Sequence, residues 1–106
     1  MLAYAGIFCL MTFYVYILQS QVNNSFYKGS SDHLARRLLE HNEGKSTFTK
    51  KYVPWNLVWY TFKDSRMEAV RLETKLKNLS TERLIGFMNK YPVRSNAFKV
   101  SPVVQP

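Results

Sequence analysis

Two tyrosine-bearing segments, a basic helix and one distant glutamate carry the side chains that could do chemistry together in this sequence. Tyr16 lies in an aromatic and β-branched segment, and Tyr27 follows about ten residues later. Arg37 and His41 are four residues apart, so a helix would place them one turn apart on the same side. Phenols, a guanidinium and an imidazole around one point suit a phosphate ester. Glu73 is the candidate carboxylate for holding a metal ion at that point.

Three short strands are predicted to position the two tyrosines. Residues 13–18 contain few polar side chains, which favours a strand covered on both faces. Residues 26–30 predict the returning strand of an antiparallel hairpin, and residues 56–62 predict a third strand rich in aromatic and branched side chains. Tyr16 and Tyr27 would then lie side by side on neighbouring strands.

Three helices complete the predicted order of elements. Ser31 or Asp32 is expected to cap the first helix, which carries Arg37 and His41. Ser65 and Glu68 form the pattern of a capping box for the second helix, and Ser80 is expected to cap the third. The order β-β-α-β-α-α predicts an α+β fold in which a three-stranded antiparallel sheet is flanked by helices.

The two ends of the chain are predicted to lie outside this unit. Residues 1–11 are apolar and are interpreted as an N-terminal extension, with Met11 as an alternative start. Residues 92–106 lack a clear pattern and are expected to form a flexible tail. No charged residue occurs from Met1 to Gln21, so a membrane-associated role is a third hypothesis. No Lys or Arg precedes the apolar run, which argues against a signal peptide.

Composition limits the partners and the compartment. The net charge is +8 over 106 residues, which favours polyanionic partners, nucleic acid first and an anionic membrane surface second. Cys9 is the single cysteine, so an internal disulfide is excluded and a cytoplasmic location is expected.

The ordered set of motifs resembles the GIY-YIG nuclease domain, and the resemblance covers about residues 12–90. Tyr14-Val15-Tyr16 is similar to the first motif of that family, and Tyr27-Lys28-Gly29 to the second. Arg37 and His41 follow Gly29 at the family's helix spacing, and residues 68–73 resemble the family's later helix, with Glu73 at the metal-ligand position. The segment from Pro54 to Tyr60 is typical of small stand-alone members.

The resemblance implies an endonuclease, acting on DNA at branched, nicked or single-stranded structures, with DNA repair as the expected process. Glu73 would bind one Mg²⁺ or Mn²⁺, and Tyr16 would act as general base on the attacking water. Tyr27 would orient the water or Tyr16, Arg37 would bind the scissile phosphate, and His41 would assist proton transfer. The alternative is a nucleic-acid-binding module that kept this fold without turnover. Many active members carry an asparagine after the glutamate, whereas Asn78 and Asn89 stand here at other spacings.

Cations near the proposed site are expected to contact the nucleic-acid backbone without reading its sequence. These residues are Lys28, Arg36, Lys45, Lys50 and Lys51. Aromatic residues could stack on unpaired bases. The candidates are Tyr52, Trp55 and Trp59, although the two tryptophans fit a core better.

Overall fold

A single antiparallel sheet with helices on both faces makes up the fold of residues 12–106, the part of the chain that the computed structural model describes. Its strands are β1 (Phe13–Ser20), β2 (Phe26–Ser31) and β3 (Trp55–Lys63), in the spatial order β2-β1-β3. Its helices are α1 (Leu34–Asn42), α2 (Arg66–Lys77) and α3 (Thr81–Lys90), and a short 3₁₀ turn spans Lys50–Tyr52. The predicted α+β architecture and the order of its helices and strands are confirmed.

The central strand β1 is covered on both faces, as its lack of polar residues predicted. Val15, Tyr16, Ile17 and Leu18 are all 0% exposed. Side chains alternate along a strand, so Tyr16 and Leu18 pack with α1, whereas Val15 and Ile17 pack with α2 and α3. Two small cores on opposite faces therefore hold β1 in place.

The prediction that Ser31 or Asp32 caps α1 was wrong. Strand β2 extends as far as Ser31, so the helix begins later and His33 is its N-cap. The His33 Nδ1 accepts a hydrogen bond of 3.2 Å from the backbone N–H of Arg36. Asp32 instead forms an exposed ion pair of 3.5 Å with the Arg36 guanidinium.

The other helix ends follow their local sequence. Ser65 and Ser80 cap α2 and α3, each accepting a backbone N–H at 3.2 Å, as predicted. Gly44 ends α1 with φ +77°, a conformation that favours glycine. The bonds from Gly44 N to His41 O and from Lys45 N to Glu40 O complete a Schellman motif. This motif fixes the end of α1 that carries His41.

The segment 92–106 has no helix or strand, but it packs on the sheet. Phe98 lies edge-on to the rings of Tyr14 and Tyr60, with centroids 5.7 and 5.4 Å apart. The Gln19 side chain both donates to Val104 O and accepts from Val104 N. These are contacts that the expectation of a flexible tail did not include.

The apolar start of the chain is only partly described. Predictions for residues 1–11, including those on Cys9 and Met11, lie outside the described residues. The following part of the apolar run is strand β1. Among the residues that the structure describes, none of the helices combines the length and apolar character needed to cross a bilayer.

Candidate active site

A buried hydrogen-bonded chain runs from the centre of the sheet to the loop after α1. The Tyr16 phenol lies 3.0 Å from Nε2 of His41, and Nδ1 of His41 lies 2.8 Å from Oγ1 of Thr49. Tyr16, His41 and Thr49 are each 0% exposed. The position of Tyr16 on β1 and of His41 in the last turn of α1 produces the first contact. The structure thus brings together two of the predicted catalytic residues and adds Thr49.

Burial sets the protonation states in this chain. It raises the pKa of the Tyr16 phenol to about 12, against a lowering effect of the neighbouring Arg37. Burial and, second to it, the positive charge of Arg37 together lower the pKa of His41 to about 4. At neutral pH Tyr16 is therefore a phenol and His41 a neutral imidazole. In the tautomer with its proton on Nδ1, His41 accepts the Tyr16 O–H at Nε2.

Gly29 provides the space into which the Tyr16 phenol fits. The two residues are directly paired between β1 and β2. A Cβ at position 29 would lie 2.7 Å from the Tyr16 hydroxyl oxygen and 3.0 Å from the ring of Tyr27. A side chain at this position would therefore collide with the phenol.

Tyr27 packs against both partners of the buried hydrogen bond. Its ring centroid is 4.8 Å from that of His41 and 6.4 Å from that of Tyr16. Because Leu18 and Tyr16 pair with Tyr27 and Gly29, the rings of Tyr16 and Tyr27 lie on the same face of the sheet. Tyr27 thus holds the imidazole through ring contact, and its role toward a water molecule remains a prediction.

Arg37 lies beside the Tyr16 phenol and is the more exposed of the two. Its Nη1 is 2.7 Å from Glu40 Oε1, and the two side chains are about 30% exposed. The contact with Glu40 raises the pKa of Arg37, which keeps a full positive charge there. Arg36 points elsewhere, with weak pairs to Asp32 and Glu40 and a side chain 55% exposed.

Glu73 reaches the site from the other face of the sheet. One of its carboxylate oxygens accepts the hydroxyl of Ser30, and the other lies 2.7 Å from Nζ of Lys77. Its side chain is only 17% exposed, so this carboxylate is largely shielded from solvent although it pairs with Lys77. The Glu73 charge also raises the pKa of Tyr16, which places the two within electrostatic range across strand β2.

The donor atoms available suit a magnesium-type ion held mainly by water and substrate. Among residues 12–106 no three His, Cys, Asp or Glu side chains lie close enough to bind one ion together. Mg²⁺ commonly binds one or two carboxylates, several waters and substrate phosphates, and Glu73 with the Ser30 hydroxyl offers oxygen donors of that kind. Lys77 raises the positive charge at this carboxylate and competes with any cation there.

The cations predicted to contact nucleic acid differ in how far they are exposed. Lys28 is half-buried, and burial followed by the charge of Lys77 lowers its pKa. Lys45, Lys50 and Lys51 are exposed in the loop after α1. Trp55 and Trp59 are 5% and 4% exposed, so they belong to the core, whereas Tyr52 is 40% exposed.

Sequence reasoning missed Thr49 and Ser30. Ser30 had a usable signal, since alternation places its side chain opposite to that of Gly29 and toward α2. Thr49 lies in a polar loop whose path the sequence does not reveal, and its type alone carries no chemical signal.

Comparison with known proteins agrees with the geometry. The profile of the GIY-YIG catalytic domain matches residues 12–91. A UPF0213 protein of Staphylococcus haemolyticus is 35% identical over 78 residues, which cover 73% of this chain and 94% of the relative. A UPF0213 protein of Syntrophus aciditrophicus is 31% identical over 83 residues, with 76% and 94% covered.

A solved structure shows the same fold. The solution NMR structure of a UPF0213 protein from Bacillus halodurans has 30% sequence identity and a TM-score of 0.53, covering 79% of this chain and 89% of its own. Members of the family that the domain profile describes are typically endonucleases. From the profile match and these relatives, the chain belongs to the GIY-YIG catalytic domain family.

Proposed function

We propose that this protein is a metal-dependent endonuclease that hydrolyses phosphodiester bonds in DNA, at branched, nicked or single-stranded structures. The observation that carries the proposal is the buried hydrogen bond between the Tyr16 phenol and the neutral His41, seated against Gly29. A hydrogen-bonded phenol and imidazole beside a guanidinium form a proton-transfer pair next to a phosphate-binding group.

Proton transfer in this proposal passes through both residues. The attacking water gives its proton to the Tyr16 oxygen while Tyr16 gives its own proton to Nε2 of His41. The water oxygen bonds to phosphorus, and the bond from phosphorus to the leaving oxygen breaks. Because the pKa of His41 is lowered to about 4, the imidazole is neutral throughout the neutral range and its Nε2 lone pair faces the phenol. The same low pKa makes it a weak base, so the transfer proceeds only as charge develops in the transition state.

Arg37 and Glu73 supply the electrostatic part of the reaction. Arg37 would leave Glu40 and bind the phosphate, which also opens a path for water to the fully buried Tyr16. Glu73 would hold a divalent cation, which would supply charge neutralisation on the phosphate and stabilise the leaving oxygen. Lys28 and Lys77 add positive charge on the Glu73 face.

The test compares matched variants on labelled DNA with Mn²⁺ or Mg²⁺. Glu73→Gln and Arg37→Ala should lower the cleavage rate at least about 100-fold, since the first would weaken the hold on the cation and the second removes a positive charge from the phosphate. Arg36→Ala, assayed at saturating DNA so that a lost backbone contact does not lower the rate, is the control, because that neighbouring cation points away from Tyr16. Cleavage that persists in both site variants would identify a contaminant, and equal losses in the Arg36 and Arg37 variants would remove the special role of Arg37.

A binding module without turnover is the second candidate function. Two observations favour it: the Tyr16 phenol is wholly buried, and Lys77 already pairs with the proposed metal ligand. Salt-sensitive DNA binding with no cleavage of any substrate in either metal would support this candidate over the nuclease.

A further inference from the structure

Phe48 exposes an aromatic ring in the loop that carries Thr49. The residue is 83% exposed, the largest value among the exposed large hydrophobic residues of the described chain. A lone exposed aromatic residue is ordinary on a protein surface. Phe48, however, is next in sequence to Thr49, which contacts His41, so its ring lies on a loop tied to the candidate site.

The loop around Phe48 is held firmly. Ser46 O accepts the backbone N–H groups of both Thr49 and Lys50, at 3.2 and 3.0 Å. Thr49 O accepts the indole N–H of Trp55 at 2.9 Å, and Thr49 Oγ1 contacts His41. The chain therefore turns Thr49 inward to the catalytic histidine and presents the adjacent Phe48 ring to solvent from a fixed backbone.

Exposed lysines flank Phe48 along the chain. Lys45, Lys50 and Lys51 are exposed on the same loop, and in the described part of the chain only Lys45 of the three forms an ion pair, with Glu43. An exposed aromatic ring among cations is the combination that binds single strands: the ring stacks on a base and the cations contact the backbone. An apolar protein partner would require apolar neighbours around Phe48, and this loop offers lysines and threonines.

We propose that Phe48 stacks on an unpaired base of the nucleic acid next to the phosphate held at Arg37 and Tyr16. A duplex offers no free base face at this position, so the site would select strands with unpaired nucleotides beside the scissile bond. The inference rests on the proposed nuclease site and specifies its substrate class as an unpaired DNA segment, such as a flap, joined to a duplex.

The experiment measures binding by fluorescence anisotropy in EDTA, which prevents cleavage. Two DNA probes share one duplex, and only one of them carries a short unpaired flap. Phe48→Ala should weaken binding to the flap probe by about 5- to 100-fold, since stacking contributes about 1–3 kcal/mol per base. Binding to the plain duplex should change less than about twofold, because backbone contacts remain.

Matched variants keep the result interpretable. Phe48→Trp should retain the flap preference, because it preserves a stacking face. Phe62→Ala removes another exposed phenylalanine, 54% exposed on β3 at the far edge of the sheet, and should leave both affinities unchanged. The unfolding temperature of Phe48→Ala should equal that of the wild type, because the Phe48 ring contributes little to the core. An RNA flap serves as the arm that compares the two nucleic acids.

Three outcomes would overturn the inference: no loss on the flap probe, an equal loss on both probes, or an equal loss in the Phe62 variant. Its failure is distinguishable from failure of the proposed function. Cleavage that needs Glu73 but is indifferent to Phe48 removes the stacking role alone. Flap binding that depends on Phe48 in a protein without cleavage removes the nuclease activity alone.

Discussion

At the level of single residues, the Tyr16 phenol fills the space that a side chain at position 29 would need. A glycine in a strand normally weakens the sheet. Here it is required because the phenol occupies the space of the missing side chain. The same space lets the phenol reach His41, so one residue serves both packing and the proposed chemistry.

Gly29→Ala should lower the free energy of unfolding by about 1–3 kcal/mol and reduce cleavage, because the added methyl group displaces the phenol. Gly86→Ala is the matched control: its Cβ would meet nothing within 4 Å on an exposed turn of α3. That control should stabilise the protein by about 0.5–1 kcal/mol. Urea unfolding of the two variants measures both changes. A Gly29→Ala variant as stable as the wild type would contradict the packing argument.

At the scale of elements, His41 joins the end of α1 to the centre of β1. This junction is buried and neutral, although an imidazole usually titrates near pH 6.5. Below that pH His41 is protonated in the unfolded chain, whereas in the folded protein it is protonated only near pH 4. The folded state is therefore favoured at neutral pH and loses this advantage on acidification.

The free energy of unfolding should thus fall as the pH drops from about 7 to 4, by up to about 3 kcal/mol from this residue. Charges that face His41 are those of Arg37 and Glu40, and their effects on its pKa oppose each other. In His41→Gln the pH dependence over this range should be shallower, which chemical unfolding at several pH values will show. Identical slopes in the two proteins would mean that His41 does not carry the effect.

Local signals explain which elements the sequence predicted. The caps at Ser65 and Ser80 and the apolar character of β1 depend on neighbouring residues, and the structure has all three. The prediction for the N-cap of α1 was wrong because the end of β2 depends on its pairing with β1. No local pattern encodes that pairing. Thr49 could not be foreseen for the same reason, since its contact with His41 depends on the path of a loop.

At the scale of the whole molecule, the segment 92–106 packs on both faces of the sheet, with Phe98 in the cluster that contains Tyr16 and Val103 in the cluster that contains Val15. Phe98 lies between the rings of Tyr14 and Tyr60, and Ser101 N donates to Leu57 O at the edge of β3. The sequence did not predict these contacts, because isolated apolar residues without a period resemble those of an unstructured tail. Tyr14, which contacts Phe98, lies two residues before Tyr16 on β1.

Phe98→Ala should lower the free energy of unfolding by about 1–3 kcal/mol, since a partly buried ring leaves a gap between two aromatic residues. Lys99→Ala is the adjacent control, exposed in the same segment, and should change stability by less than about 0.5 kcal/mol. Thermal unfolding compares them. Equal stability of both variants would mean that the contacts of the Phe98 ring do not stabilise the fold.

The bonds between Gln19 and Val104 join residues 85 positions apart. During synthesis β1 leaves the ribosome early, yet its Gln19 side chain finds its partner only after nearly all of the described chain has been made. The strands and helices are all synthesised before Val104, so they can pair before these two bonds form. The contacts of segment 92–106 are therefore the last of the described chain to become available.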